Sequence, residues 1–473
     1  MNAATGLQTS ASLGQQLVDL APLIELLLIG AGLALLPAAA VVWRARRQGV
    51  RGWPAWQRVL TVATLFLTLD LVIFGAFTRL TDSGLGCPDW PGCYGEMSPF
   101  HARADIHAAH EASPTGPVSP TKAWIEMVHR YLATAVGALI TGLMLLAWRQ
   151  RDEPGALSPW WATLTFVWVC VQGAFGALTV TMKLQPLIVT GHLLGALLGV
   201  ALLTTQARML DPAPLGEPEG SDARRARWAN AGLRRAGFVV LALLTLQVAS
   251  GAWVSTNYAV LACAEFPTCQ GQWWPAMDFE QAFRLWRPLG GDGQGGVISM
   301  AGLTAIHMAH RMLAGVVSVA LVVFAWRLAR WRAQDDGPDR ADDRVNDRMN
   351  GSTGFSASTR EGRMPGVTLV PPVPVWRREA RVLALLLLAQ IASGLSNVVL
   401  GWPLAAALAH TFGAALLVWW LTRLLVLPRE QATWRLLLRG QDARVESDTG
   451  SHQRPQLPPH QGLHGTASRA SVS

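Results

Sequence analysis

Glu126-Met127-Val128-His129-Arg130 brings a carboxylate, an imidazole and a guanidinium together where an apolar stretch begins, and His307-Met308-Ala309-His310-Arg311 repeats the arrangement with His307 in place of the glutamate. His192 and His410 each open a further apolar stretch. An ionisable side chain inside such a stretch is costly and by default points to function. Two imidazoles facing each other across a helical bundle can hold an iron porphyrin from both faces, because haem iron takes axial histidine. The pairs His129/His192 and His310/His410 are therefore two candidate bis-histidine haem sites. The competing reading is four core histidines hydrogen-bonded to neighbouring helices, and a zinc centre of the H-E-x-x-H type has no matching spacing.

Arg79, Arg130 and Arg311 fall beside these histidines, where guanidinium groups can pair with porphyrin propionates; interfacial snorkelling is the alternative. Glu126 shares a helix face with His129, three residues on, and can serve as a base or stabilise developing positive charge. Its alternative is a carboxylate placed at a helix start, where the dipole favours it. Because the second half has His307 at that position, chemistry is expected in the first half and electron transfer in the second. His307 itself reads as a propionate or hydrogen-bond partner.

Long apolar helices must carry these groups. The 473 residues are 51% hydrophobic and 15% charged, with mean hydropathy +0.27. Runs of about 20 apolar residues, the length that crosses a bilayer, cover 22–43, 59–78, 124–147, 160–180, 187–207, 235–256, 305–328, 380–400 and 404–426. The histidines are expected one to two turns, about 6–10 Å, inside the outer ends of their helices. No Lys or Arg precedes Arg44, and Arg44, Arg46, Arg47, Arg51 and Arg58 cluster after the first run. The positive-inside rule makes that loop cytoplasmic, with the N-terminus outside and the C-terminus inside. The net charge of +8 is thus a consequence of topology, and nucleic-acid binding is excluded as an explanation for it. Residues 1–21 lack the basic start of a signal peptide and read as an extracytoplasmic tail leading into an uncleaved helix.

The spacings repeat. Gly75 precedes Cys87, and Gly251 precedes Cys263, by the same interval, and the next cysteine, Cys93 or Cys269, follows six residues later. Gln172 stands before His192 as Gln390 stands before His410, with Gly176 matching Gly394. Parallel spacings of this kind mark duplicated halves. Both cysteine pairs lie in outer loops, where disulfides persist. A structural role is expected for Cys263/Cys269, and a redox-active one for Cys87/Cys93 in an exposed, Gly- and Pro-flanked loop. Cys170 reads as a small buried apolar residue. The inner loop 332–375 and the tail after about 442 are too polar to bury a core; His452, His460 and His464 are expected to be solvent-exposed, and the glycine run 290–296 is too weak to mark a nucleotide site.

The fold class expected is an all-α integral membrane protein of two pseudo-symmetric four-helix transmembrane bundles plus one extra N-terminal transmembrane helix. Residues 1–56 would form the tail, accessory helix and basic inner loop, and 57–207 the N-terminal bundle. A linker over 208–233 would lead to the C-terminal bundle over 234–426, followed by a tail over 427–473.

At these residues the chain resembles the haem A synthase family, membrane enzymes that oxidise haem O to haem A for cytochrome oxidase assembly. The resemblance covers 57–426. It is carried by G-A-F-T-R-L-T-D-S-G over Gly75–Gly84, the Glu126/His129/Arg130 motif, His192, His310-Arg311, His410 and both cysteine pairs. It implies a haem b on His310 and His410 and the substrate haem O on His129 and His192. It also implies oxidation of the porphyrin C8 methyl to a formyl group with water as the oxygen source, and the position of Glu126 matches the family's catalytic glutamate. The implied setting is a bacterial inner membrane, with the haem O-forming farnesyltransferase, oxidase assembly factors and further copies of the chain as partners. The first helix and the long inner loop depart from the family pattern without touching the motif residues. Two rival functions remain: a dihaem cytochrome passing electrons from quinol, and a haem transporter or chaperone.

Overall fold

A computed structural model describes residues 21–50, 52–153, 155–211, 231–288, 298–330 and 375–426. The loop 332–374, the glycine run 290–296 and the tail with its three histidines lie outside the described residues.

Nine helices among the described residues are long and apolar enough to cross a membrane, and no strand joins them; the chain is an all-α, multi-pass membrane protein. They are α1 (Ala21–Arg47), α2 (Trp53–Leu80), α4 (Pro120–Arg149), α5 (Pro159–Thr181), α6 (Pro186–Met209), α7 (Ala231–Thr256), α9 (Met300–Arg330), α10 (Val375–Val399) and α11 (Leu404–Leu425). Two short helices, α3 (Arg103–Ala112) and α8 (Phe279–Ala282), lie in the connections. The first of these falls in a stretch expected only to lead into the next span.

Several helices begin before their apolar runs. Ser119 caps α4, its hydroxyl accepting from the Lys122 amide, and Pro120 takes the first turn, where a missing N–H costs nothing. Proline opens α5 and α6 in the same way.

Helix α2 packs on α4 and α6, and α5 packs on α4 and α6, closing a ring of four. A second ring runs α7–α9–α10–α11 and back to α7. The rings meet where α6 touches α7 and α11 and where α2 touches α11. They share one apolar core: Leu69, Ile140 and Val200 belong to the same buried cluster as Leu244, Leu321 and Leu421. Helix α1 lies outside both rings along α4, with Gly30 against Thr134; a Cβ on Gly30 would stand 2.4 Å from the Thr134 methyl carbon.

Charge sorts the ends of the helices. Arg44, Arg46 and Arg47 close α1, Arg149 closes α4, Arg208 closes α6, Arg327 and Arg330 close α9, and Arg423 closes α11. Asp211 receives Arg58 at 2.8 Å and Arg208 at 2.6 Å, tying α2 to α6 at that end. The cysteine loops follow α2 and α7, at the opposite end.

Candidate functional site

Each of the four histidines meets a glycine on the helix before it. A Cβ on Gly75 would lie 3.0 Å from the His129 ring, on Gly176 3.6 Å from His192, on Gly251 3.0 Å from His310, and on Gly394 2.9 Å from His410. Each glycine stands five residues before the end of its helix, at Leu80, Thr181, Thr256 and Val399. The four rings therefore occupy one layer, about 7–8 Å from those ends at 1.5 Å per residue. Measured along their own helices the depths differ from expectation. His192 and His410 come six residues after Pro186 and Leu404, but His129 and His310 come nine and ten after Pro120 and Met300, because α4 and α9 start earlier than their apolar runs.

His129 on α4 and His192 on α6 stand on diagonal helices of the first ring, and His310 on α9 and His410 on α11 on diagonal helices of the second. Among the described residues no three His, Cys, Asp or Glu side chains gather as a chelate. Two imidazoles alone suit an iron whose remaining ligands come from a porphyrin, and the glycines leave the rings room that any side chain would fill.

The second-half rings are held by a repeated motif. Ser250 lies 2.8 Å from Nδ1 of His310, and Gln247 Nε2 lies 3.3 Å from its Nε2. Ser393 lies 3.0 Å from Nδ1 of His410, with Gln390 Nε2 3.3 Å from Nε2. The pattern Gln-x-x-Ser-Gly over 247–251 and 390–394 is visible in the sequence, although only the glutamine at 390 and the glycines figured in the repeat. In the first half the serine positions are Phe74 and Phe175. Phe74 stacks on His129 with 6.2 Å between ring centroids, and Phe175 packs against Gly191.

Glu126 is 3% exposed and fully engaged. Its Oε1 accepts from Arg130 at 2.5 Å and its Oε2 from the Cys87 amide at 2.8 Å. The helix cap is Ser119, a turn and more upstream, so the reading of Glu126 as a group at the helix start is overturned. The carboxylate instead fastens the first cysteine loop to α4. Gly86 makes that approach possible, since a Cβ there would lie 2.4 Å from the Lys122 carbonyl carbon. A Gly86→Ala variant is expected to lift the loop and cost about 1–3 kcal/mol of stability. The check is thermal unfolding in detergent.

The arginines are drawn to the cysteine loops. Arg130 donates to the carbonyls of Pro91, at 3.0 Å, and Gly92; Arg311 donates to those of Thr268, Cys263 and Glu265 at 3.1, 3.1 and 2.8 Å. Arg311 Nε is buried and has no hydrogen-bond partner among the described residues. Arg79 joins the two halves: it donates to Asp82 at 3.0 Å, to Tyr258 at 3.1 Å and to the Ser255 carbonyl at 2.7 Å, while Tyr258 donates to Asp82 at 2.8 Å. Burial at this junction pushes the Tyr258 phenol above its usual range. Asp82 and Tyr258 were not legible as partners, because they lie far apart in sequence.

Cys87–Cys93 and Cys263–Cys269 are both closed as disulfides. All four cysteines are 0% exposed, where the sequence placed the first pair in an exposed loop. The disulfides cover Met127 and Met308, the residues after Glu126 and His307. Cys170, expected to be buried, faces outward from α5, since a helix apolar on every side gives no sign of which face packs.

The family model described as the cytochrome oxidase assembly protein COX15-CtaA matches residues 58–344 and 366–422. Among curated relatives, the Heme A synthase of Shewanella oneidensis is 33% identical over 355 residues, covering 75% of this chain and 91% of that protein. The Heme A synthase of Alkalihalophilus pseudofirmus is 28% identical over 58% of this chain and 77% of its own length. That of Shouchella clausii is 26% identical over the same shares.

Proposed function

The chain belongs to the COX15-CtaA family of cytochrome oxidase assembly proteins, and from that premise we propose that it is an oxidoreductase converting haem O to haem A by oxidising the C8 methyl to a formyl group, with water as the oxygen source. The observation that carries this reading is the asymmetry of two otherwise matched histidine pairs: a buried carboxylate stands beside one and His307 beside the other. His129 and His192 hold the iron of the substrate haem O in the N-terminal bundle, 57–207. His310 and His410 hold a resident haem b in the C-terminal bundle, 234–426. When bound, haem b accepts electrons from the substrate side and passes them on.

Oxidising a methyl group with water releases protons as well as electrons, so the substrate site needs a proton acceptor. Glu126 is that group. Two charge-assisted hydrogen bonds fix its carboxylate, and each oxygen keeps a lone pair with which to take a proton from the reacting carbon or from water. Arg130 holds the carboxylate in position, and the Cys87–Cys93 disulfide supports the redox chemistry by fixing the loop whose amide grips it. The unpartnered Nε of Arg311 is an N–H free for a porphyrin carboxylate. Arg79 and Arg130 add positive charge at the same end.

The basic helix ends support a bacterial inner membrane location with the cysteine loops, the histidine layer and the N-terminus toward the outside and the C-terminus in the cytoplasm. A haem O-forming farnesyltransferase and oxidase assembly factors are the partners this function requires, and membrane lipid surrounds the spans.

The test is to purify the protein from cells that supply haem O, extract its non-covalent porphyrins and identify them by chromatography and mass. Haem b together with haem O, haem A or a hydroxylated intermediate is the expected result. Haem b alone at two per chain would overturn it in favour of an electron-transfer cytochrome.

A further inference from the structure

In the second half the histidine protons can be placed by counting donors. Ser250 Oγ lies 2.8 Å from the Gln247 carbonyl as well as 2.8 Å from His310 Nδ1. Ser393 Oγ lies 3.1 Å from the Gln390 carbonyl and 3.0 Å from His410 Nδ1. A hydroxyl has one proton, and a carbonyl can only accept. With its one proton on the carbonyl the serine is set to accept from Nδ1–H, the arrangement that leaves Nε2 with a lone pair for iron in both rings. The Gln247 amide stands 3.1 Å from Nδ1 and 3.3 Å from Nε2 of His310, and the Gln390 amide 3.3 Å from Nε2 of His410, so each amide must give way where iron takes the Nε2 lone pair. A hydrogen bond from the far ring nitrogen of a metal-ligating histidine fixes its tautomer and orientation and makes it a better donor to the metal.

Among the described residues the first half lacks this serine contact. Phe74 and Phe175 occupy the serine positions and have no acceptor to offer. Nδ1 of His192 is buried and has no hydrogen-bond partner among the described residues. His129 is turned so that Nε2, rather than Cε1 as in His310 and His410, lies nearest its glycine. Gln172 packs against Gly195 as Gln390 packs against Gly413, so that glutamine is common to both halves, while Leu71 stands at the fourth such position.

We propose that Ser250 and Ser393 are positioning residues that make His310 and His410 permanent iron ligands, while Phe74 and Phe175 keep His129 and His192 exchangeable, so that the porphyrin of the first half can enter and leave. The inference rests on the two-site reading above and adds to it the physical basis of retention. A cofactor must stay through many turnovers, whereas a substrate porphyrin must depart as product. The same four-glycine scaffold serves both needs by exchanging a hydroxyl for a phenyl ring at one position per helix pair.

The test compares porphyrin release from the full-length purified protein to excess apomyoglobin, together with the midpoint potential of the retained haem. A Ser250→Ala/Ser393→Ala protein is expected to lose haem b about 10–100-fold faster than the unsubstituted protein and to show a higher midpoint potential, because a ligand without its acceptor donates less to ferric iron. Threonine at both positions should restore slow release. Phe74→Ser and Phe175→Ser are expected to slow release from the first half and raise the amount of porphyrin that co-purifies there, with haem b unchanged. Unchanged haem b release and potential in the alanine protein, with its thermal unfolding preserved, would overturn the proposal. So would phenylalanine-to-serine proteins that release first-half porphyrin at the original rate, and these stand as a separate test if the alanine protein fails to fold. If both porphyrins prove to be haem b, the synthase reading fails, but the two release rates still decide whether the serines distinguish the halves.

Discussion

A Glu126→Gln variant is expected to keep its haem b and to convert haem O about 10²–10⁴-fold more slowly, the range that loss of a positioned general base removes. Glutamine has a single amide oxygen, so it accepts from either the Cys87 amide or Arg130 while its NH2 faces the other donor; one of the two fastenings remains and the proton acceptor is lost. Glu126→Ala is a harsher change. It leaves Arg130 buried without its carboxylate, which costs about 3–5 kcal/mol for a broken buried pair. The two variants therefore separate chemistry from architecture by degree: single-turnover conversion in detergent should collapse in both, while thermal stability should fall modestly in the glutamine protein and much further in the alanine protein. A glutamine variant that converts haem O at the normal rate would show that Glu126 is a fastener for the loop and no more.

His410→Ala is expected to lose haem b altogether, with affinity down by well over the 100-fold that second-shell changes cost, and with it all conversion of haem O. The absorbance of the purified protein reports the first effect directly. Gly394, opposite His410, leaves open space once the ring is removed, so added imidazole should enter and restore part of the haem spectrum. His307→Ala provides the contrast. That side chain stands one turn before His310, and its removal should leave haem b bound. Haem b retained at full occupancy in the His410 variant would mean that the ligand pairing is wrong.

Much of this architecture could be read in the chain because its signals are local or periodic. Nine apolar runs gave nine long apolar helices among the described residues, and the matched spacings of Gly75, Cys87 and Cys93 with Gly251, Cys263 and Cys269 already read as a duplication. The start of α4 was also legible in principle, since Ser119-Pro120 is a cap followed by an N1 proline, but the apolar run begins later and drew attention away from it. The reach of Arg130 and Arg311 to loop carbonyls was not legible, because every residue has a carbonyl and the acceptor leaves no mark in the sequence. Nor was the junction of Arg79 with Tyr258, since side chains that meet across two halves share no spacing. The serine at 250 and 393 lay in plain view within a repeated pentapeptide. Its meaning depends on which histidine nitrogen it faces, and only coordinates supply that.

The clasp between Arg130 and the carbonyls of Pro91 and Gly92 has a consequence for biogenesis. The guanidinium is 7% exposed, and without those carbonyls it would be a buried charge short of partners, an arrangement costing several kcal/mol. Insertion of α2 and α4 into the bilayer is thus only half of the maturation of this region. The segment between them must fold back before that end of α4 can settle, and Arg311 imposes the same order on α7 and α9. Until then Arg130 keeps only Glu126, on its own helix, and Arg311 lacks all three of its carbonyl acceptors, so the second half waits on its loop more than the first does.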